Sequence, residues 1–154
     1  MTPPCEAILA AAIPDDAGEI AAVYLLSRAD ALPYLRRVHG DDDVRAWIAG
    51  TLLPRCRTWV ARRDGLIVGF LALDGDSLEQ LYLRPGHCRR RIGSRLLDLA
   101  KRACPGRLRL WAFQRNAPAR AFYEAHGFRA VRFGDGSGNE EGEPDVLYEW
   151  TGRP

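Results

Sequence analysis

The chain has 154 residues and a formal net charge of +2, with 47% hydrophobic and 27% charged residues. That length suits one domain, residues 1–154, with a sizeable core, and the composition excludes a disordered chain. So small a net charge gives no general case for a nucleic-acid partner, although local arginine clusters suit a small anionic ligand. Cys5, Cys56, Cys88 and Cys104 are widely spaced, with no Cys-x-x-Cys and no nearby histidine pair. They read as reduced thiols of a cytoplasmic protein, and no metal is expected. No apolar run approaches the roughly 18 residues that span a bilayer, and the N-terminus lacks the order of an export signal.

Residues 7–13 are apolar and closed by Pro14, which favours a first strand. From Asp16 to Ala29 the residues Ile20, Val23, Tyr24 and Leu26 give a first helix, with Asp15 or Asp16 as its cap. Residues 30–39 read as a short second helix or an irregular segment. Asp41, Asp42 and Asp43 precede Val44, Trp47, Ile48 and Leu52, a further helix whose dipole the carboxylates suit better than they suit a metal. Residues 57–62 and 66–73 are strands around the hairpin signal Arg63-Asp64-Gly65.

A second tight turn, Asp74-Gly75-Asp76, leads into a strand over residues 78–83 that Pro85-Gly86 stops. Next comes His87-Cys88-Arg89-Arg90-Arg91-Ile92-Gly93-Ser94, then an amphipathic helix with Ile92, Leu96, Leu97, Ala100 and Ala103 on one face. A cationic turn opening a helix is either an anion site, because the helix start has unpaired N–H donors, or a solvated basic cap. Residues 108–113 form a strand reached through a helical crossover, which favours parallel pairing. Asn116 caps a last helix with Phe122 and Tyr123, ended by His126-Gly127. Residues 128–133 and 145–150 form a closing antiparallel pair around a loop rich in glycine and acid.

The strand with its basic turn, and the segment Asn116-x-x-Ala119-Arg120-x-Phe122-Tyr123-Glu124-x-His126-Gly127-Phe128, resemble the GNAT superfamily of acetyl-CoA-dependent N-acetyltransferases. The resemblance implies a mixed α/β fold: a central, mostly antiparallel sheet of about seven strands with helices on both faces. It also implies an acyltransferase that moves an acetyl group from acetyl-CoA to a primary amine, directly and within a ternary complex. A small-molecule acceptor is the main expectation. A non-catalytic acyl-CoA-binding module, or a transferase acting on a protein or RNA-linked amine, stays open. CoA and the amine are the expected partners, with no membrane and no nucleic acid, and a homodimer is the default for a small enzyme of this kind.

Carried over residue by residue, the phosphate loop falls on Cys88, Arg89, Arg90, Arg91, Ile92 and Gly93, followed by Ser94. Cys88 and Arg91 depart from the pattern, and Arg91 stands where glycine lets the backbone turn tightly, so either the loop is rearranged or cofactor binding is weakened. Main-chain groups of Leu81, Tyr82 and Leu83 are implied to hold the pantetheine arm as an added strand would. Asn116 is implied to contact that arm and Tyr123 to protonate the departing thiolate. Glu79 lies near the place of a general base, and equally reads as an exposed strand residue. His87 is a weaker alternative base, and His126 reads as structural. For the acceptor, Tyr34 and His39 of the covering segment and Asp135 and Glu141 of the acidic loop are the candidates.

Overall fold

The computed structural model describes residues 6–87 and 91–152. Seven strands form one sheet in the order β1-β2-β3-β4-β5-β7-β6. They are β1 (Ile8–Ala11), β2 (Arg57–Arg63), β3 (Leu66–Asp74), β4 (Ser77–Leu83), β5 (Arg107–Phe113), β6 (Arg129–Gly134) and β7 (Asp145–Thr151). All neighbours are antiparallel except β4 and β5. Those two are joined by a helix, and a helical crossover brings the chain back in the same direction.

Strand β3 reads as an unbroken apolar run because both of its faces are covered. Val68, Leu71 and Leu73 pack into one cluster with Ile92, Leu96, Leu97 and Ala100 of helix α4 (Ile92–Ala103). Ile67, Phe70 and Ala72 pack on the other face, against Ile20 and Val23 of α1 (Ala17–Ala31) and Ile48 and Leu52. Helix α5 (Ala117–Ala125) lies on the α4 side, with Tyr123 in the same cluster. Among the described residues no helix is long and apolar enough to cross a membrane.

A single 3-10 turn, Pro14–Asp16, precedes α1. Asp16 accepts a hydrogen bond from the Ile13 N–H (2.9 Å) and pairs with Arg62, so its buried charge is compensated. Helix α1 continues to Ala31, and residues 32–40 contain no second helix. Pro33 disfavours helical backbone at Leu32, which leaves the helix at φ −128° and ψ 51°. Helix α2 (Asp41–Trp47) passes through a π turn, Ile48–Leu52, into the short α3 (Leu53–Arg55). The wider turn makes room for the Pro54 ring, which would press on the Gly50 carbonyl in a regular helix.

Candidate active site

Strands β4 and β5 begin as neighbours and then part. Their pairing is limited to Ser77 opposite Arg109, with the Arg109 N–H donating to the Asp76 carbonyl (2.9 Å). Beyond it a cleft opens between the strands, with Leu81 and Tyr82 on one wall, Leu110 and Ala112 on the other, and Asn116 and Tyr123 from α5 at its edge. The β4 backbone along the cleft therefore keeps β3 on one side and has no paired strand on its β5 side. Leu83 sits at the far end of β4, and its carbonyl already accepts from the buried Ser27 hydroxyl of α1.

Glu79 is the extra residue of a β-bulge. The β3–β4 register steps from Ala72 opposite Gln80 to Leu73 opposite Leu78, which leaves Glu79 unopposed. A bulge re-aims a side chain, and here Glu79 lines the cleft while remaining exposed. Its carboxylate lies near Cys56, whose thiol is pushed up first by burial and then by Asp74 and Glu79.

Beyond β4 the chain turns into α4. Cys88, Arg89 and Arg90 lie outside the described residues. Arg91 precedes the helix at φ 58° and ψ 12°, so the backbone keeps a left-handed turn with arginine in it. That costs about 1–2 kcal/mol for a residue with a Cβ. Gly93 needs to be small: a Cβ there would lie 3.3 Å from Leu83 Cδ1 and 3.4 Å from Phe122 Cζ. Ile92 is buried, and Ser94 Oγ lies 3.0 Å from His126 Nε2. His126 is held at both ends, since its Nδ1 meets the Phe122 carbonyl (2.8 Å) and its own carbonyl accepts from Lys101 Nζ (2.6 Å). The His87 N–H donates to the Arg84 carbonyl (3.1 Å) in the turn after β4.

Asn116 caps α5 as its spacing predicts, its Oδ1 accepting from the Ala119 N–H (3.4 Å). Tyr123 is buried among Phe122, Phe128 and Tyr148, yet lines the cleft. Burial, and then the neighbouring Tyr82, push its phenol well above the usual range, so it keeps its proton.

A second cavity of about 500 Å³ lies between α1, residues 32–44 and Glu140-Glu141. His39 and Glu141 line it; Tyr34 and Asp135 do not. Tyr34 lies under the Arg115 guanidinium, 4.0 Å from its ring centre, and its hydroxyl is buried. Asp135 accepts from the Ser137 N–H (2.9 Å), and hydrogen bonds from Ser137 hold its carboxyl below the usual range. The acidic loop does not present free carboxylates here: Glu140 meets His39 (2.8 Å), Glu141 meets Arg28 (3.0 Å), and Glu143 takes two hydrogen bonds from Arg115 (2.5 and 3.0 Å).

Sequence reasoning missed Arg28 and Tyr24. Arg28 Nη1 donates to the Tyr82 hydroxyl (3.0 Å) while Nη2 holds Glu141, so one side chain links β4 to the acidic loop. Its guanidinium stands 5.0 Å from the Tyr24 ring centre, and Tyr24 packs edge-on against Tyr82 at 5.2 Å. The i, i+4 spacing of Tyr24 and Arg28 on one helix face was the available signal.

Residues 54–130 match the model of a family described as acetyltransferase (GNAT) domain. A curated protein of Escherichia coli K12, peptidyl-lysine N-acetyltransferase YiaC, is 35% identical over 80 residues, which cover 51% of this chain and 54% of that protein. The chain thus spans about half the length of that relative. A GCN5-related N-acetyltransferase structure from Rhodopseudomonas palustris superposes with a TM-score of 0.79 at 20% identity, covering 98% of this chain and 99% of the other. PaiA N-acetyltransferase from Thermoplasma acidophilum, solved in complex with coenzyme A, gives 0.72 at 19% identity over 94% and 98%. With half of its length matched by the family model and a parted pair of central strands at its site, this chain belongs to the GNAT acetyltransferase family.

Proposed function

We propose that the protein is an acetyl-CoA-dependent N-acetyltransferase acting on a primary amine. The observation that carries the reading is the parting of β4 and β5 after Ser77, with Tyr123 among the residues that line the gap. The unpaired β4 edge at Leu81 and Tyr82 offers main-chain groups to an amide-containing arm, as a sheet edge does to an added strand. The start of α4, from Arg91 to Ser94, offers N–H donors to a diphosphate. Asn116 stands at the same cleft.

The chemistry follows from protonation states. An alkylammonium with a pKa near ~10.4 has no lone pair for attack at neutral pH. Glu79, directly or through water, takes one proton from it. The amine nitrogen then bonds to the thioester carbonyl carbon as the C–S bond breaks, and the sulfur leaves as a thiolate. A thiol has an ordinary pKa near ~8.5, far below that of buried Tyr123, so complete transfer from the phenol is uphill. Tyr123 therefore acts chiefly by donating a hydrogen bond to the leaving sulfur. The second amine proton balances the products, an amide and a thiol.

A Tyr123→Phe change tests this reading, because acetyl-CoA affinity and turnover report different things. Affinity is expected to hold while kcat falls by roughly 10²-fold or more. Unchanged turnover would remove Tyr123 from the mechanism.

A further inference from the structure

The cavity beside α1 has a mixed lining, with Leu25, Leu35, Val38 and Val44 among its apolar walls. Its size, about 500 Å³, is that of small-molecule sites. Seven charged or titratable side chains besides tyrosine line it: Arg28, Arg36, Arg37, His39, Asp41, Glu140 and Glu141. Each of the three carboxylates already has a side-chain partner: Glu141 pairs with Arg28, Asp41 pairs with Arg37, and Glu140 meets His39, a contact that is an ion pair only when the imidazole is protonated. Tyr24 adds no charge, because burial pushes its phenol up to about 12. Arg36 is the remaining cation, with no ion pair or side-chain hydrogen bond among the described residues.

This balance selects among amines. A second ammonium in the cavity would find each carboxylate already engaged, Glu141 and Asp41 by guanidinium groups and Glu140 by His39. A carboxylate would find a guanidinium whose planar fork matches it in two hydrogen bonds. Leu32 lines both this cavity and the β4–β5 cleft, so the two spaces adjoin at one buried side chain.

We infer that the acceptor is a small primary amine carrying a carboxylate at its far end, and that Arg36 recognises that carboxylate. The inference rests on the acetyl-transfer reading above. The carboxylate sits on Arg36, an apolar stem passes Leu32, and the amine reaches the cleft beside Glu79.

The test compares three amines of equal chain length: ε-aminocaproate, hexylamine and hexamethylenediamine, with a lysine-containing peptide as a fourth. The expected result is a kcat/KM for ε-aminocaproate roughly tenfold or more above the others. Arg36→Gln should raise the KM for ε-aminocaproate to near that of hexylamine, and Arg36→Lys should restore part of the preference. Preference for the diamine or the peptide, equal use of all, turnover of none, or an Arg36→Gln variant that keeps the preference would each overturn the inference. Calorimetric titration of the same preparations with acetyl-CoA separates the two failures. Absent binding defeats the transferase reading itself, whereas intact binding without the carboxylate preference defeats the acceptor inference alone.

Discussion

His126 Nε2 and Ser94 Oγ lie 3.0 Å apart, which ties the last turn of α5 to the first turn of α4. The other ring nitrogen faces the Phe122 carbonyl at 2.8 Å, and a carbonyl only accepts. In the neutral ring Nδ1 therefore carries the hydrogen and Nε2 accepts from the Ser94 hydroxyl. His126→Ala should cost about 1 kcal/mol of stability, read by urea unfolding, and weaken acetyl-CoA binding severalfold by freeing Ser94. Unaltered affinity in a folded variant would show that Ser94 needs no such anchor.

Arg91 holds a left-handed backbone at the entrance to α4. Arg91→Gly removes a steric cost of about 1–2 kcal/mol but adds roughly 0.5–1 kcal/mol of unfolded-state entropy. A net stability gain of up to about 1.5 kcal/mol is expected in urea unfolding. A loss of that size would mean that the arginine side chain contributes contacts of its own.

Tyr24 has a phenol pushed up to about 12, mainly by burial. Its ordinary value is near ~10, so between these values the unfolded chain releases a proton that the folded chain keeps. Stability from this group is thus complete below pH ~10 and is lost as pH rises, by roughly 2–3 kcal/mol at most. Tyr24→Phe should flatten the fall in urea midpoint over that interval. An equally steep fall in the variant would assign the loss to other groups.

Glu79 occupies the bulge of β4 beside the cleft. Glu79→Gln should lower kcat by roughly 10²-fold with acetyl-CoA affinity kept. Without a base the rate should follow the free-amine fraction, rising about tenfold per pH unit below ~10.4. A wild-type pH profile in the variant would exclude Glu79 as the base.

The strands and both long helices of the CoA side were legible because their signals are local. Pro85-Gly86, the spacing of Ile92, Leu96 and Leu97, and the Asn116 cap each act within a few residues. The left-handed turn at Arg91 was legible only as a conflict between residue type and pattern. The bulge at Glu79 was not, since it depends on the register of β4 against β3. Nor was the neutralised acidic loop: Arg28 meets Glu141 and Arg115 meets Glu143 across long stretches of chain, and no periodicity records such pairs. The segment after Leu32 reads as either a short helix or irregular backbone, because apolar spacing persists where Pro33 has already ended the helix; the structure takes the irregular alternative.

The most direct measurement follows backbone amide resonances of the protein during titration with acetyl-CoA. Saturable shifts are expected at Leu81, Tyr82 and Leu83 along the open β4 edge, at Arg91 to Ser94 at the head of α4, and at Asn116. Little change is expected in β1 and β6, at the two edges of the sheet. Absence of shifts, or shifts confined to residues outside the β4–β5 cleft and the α4 turn, would contradict the account.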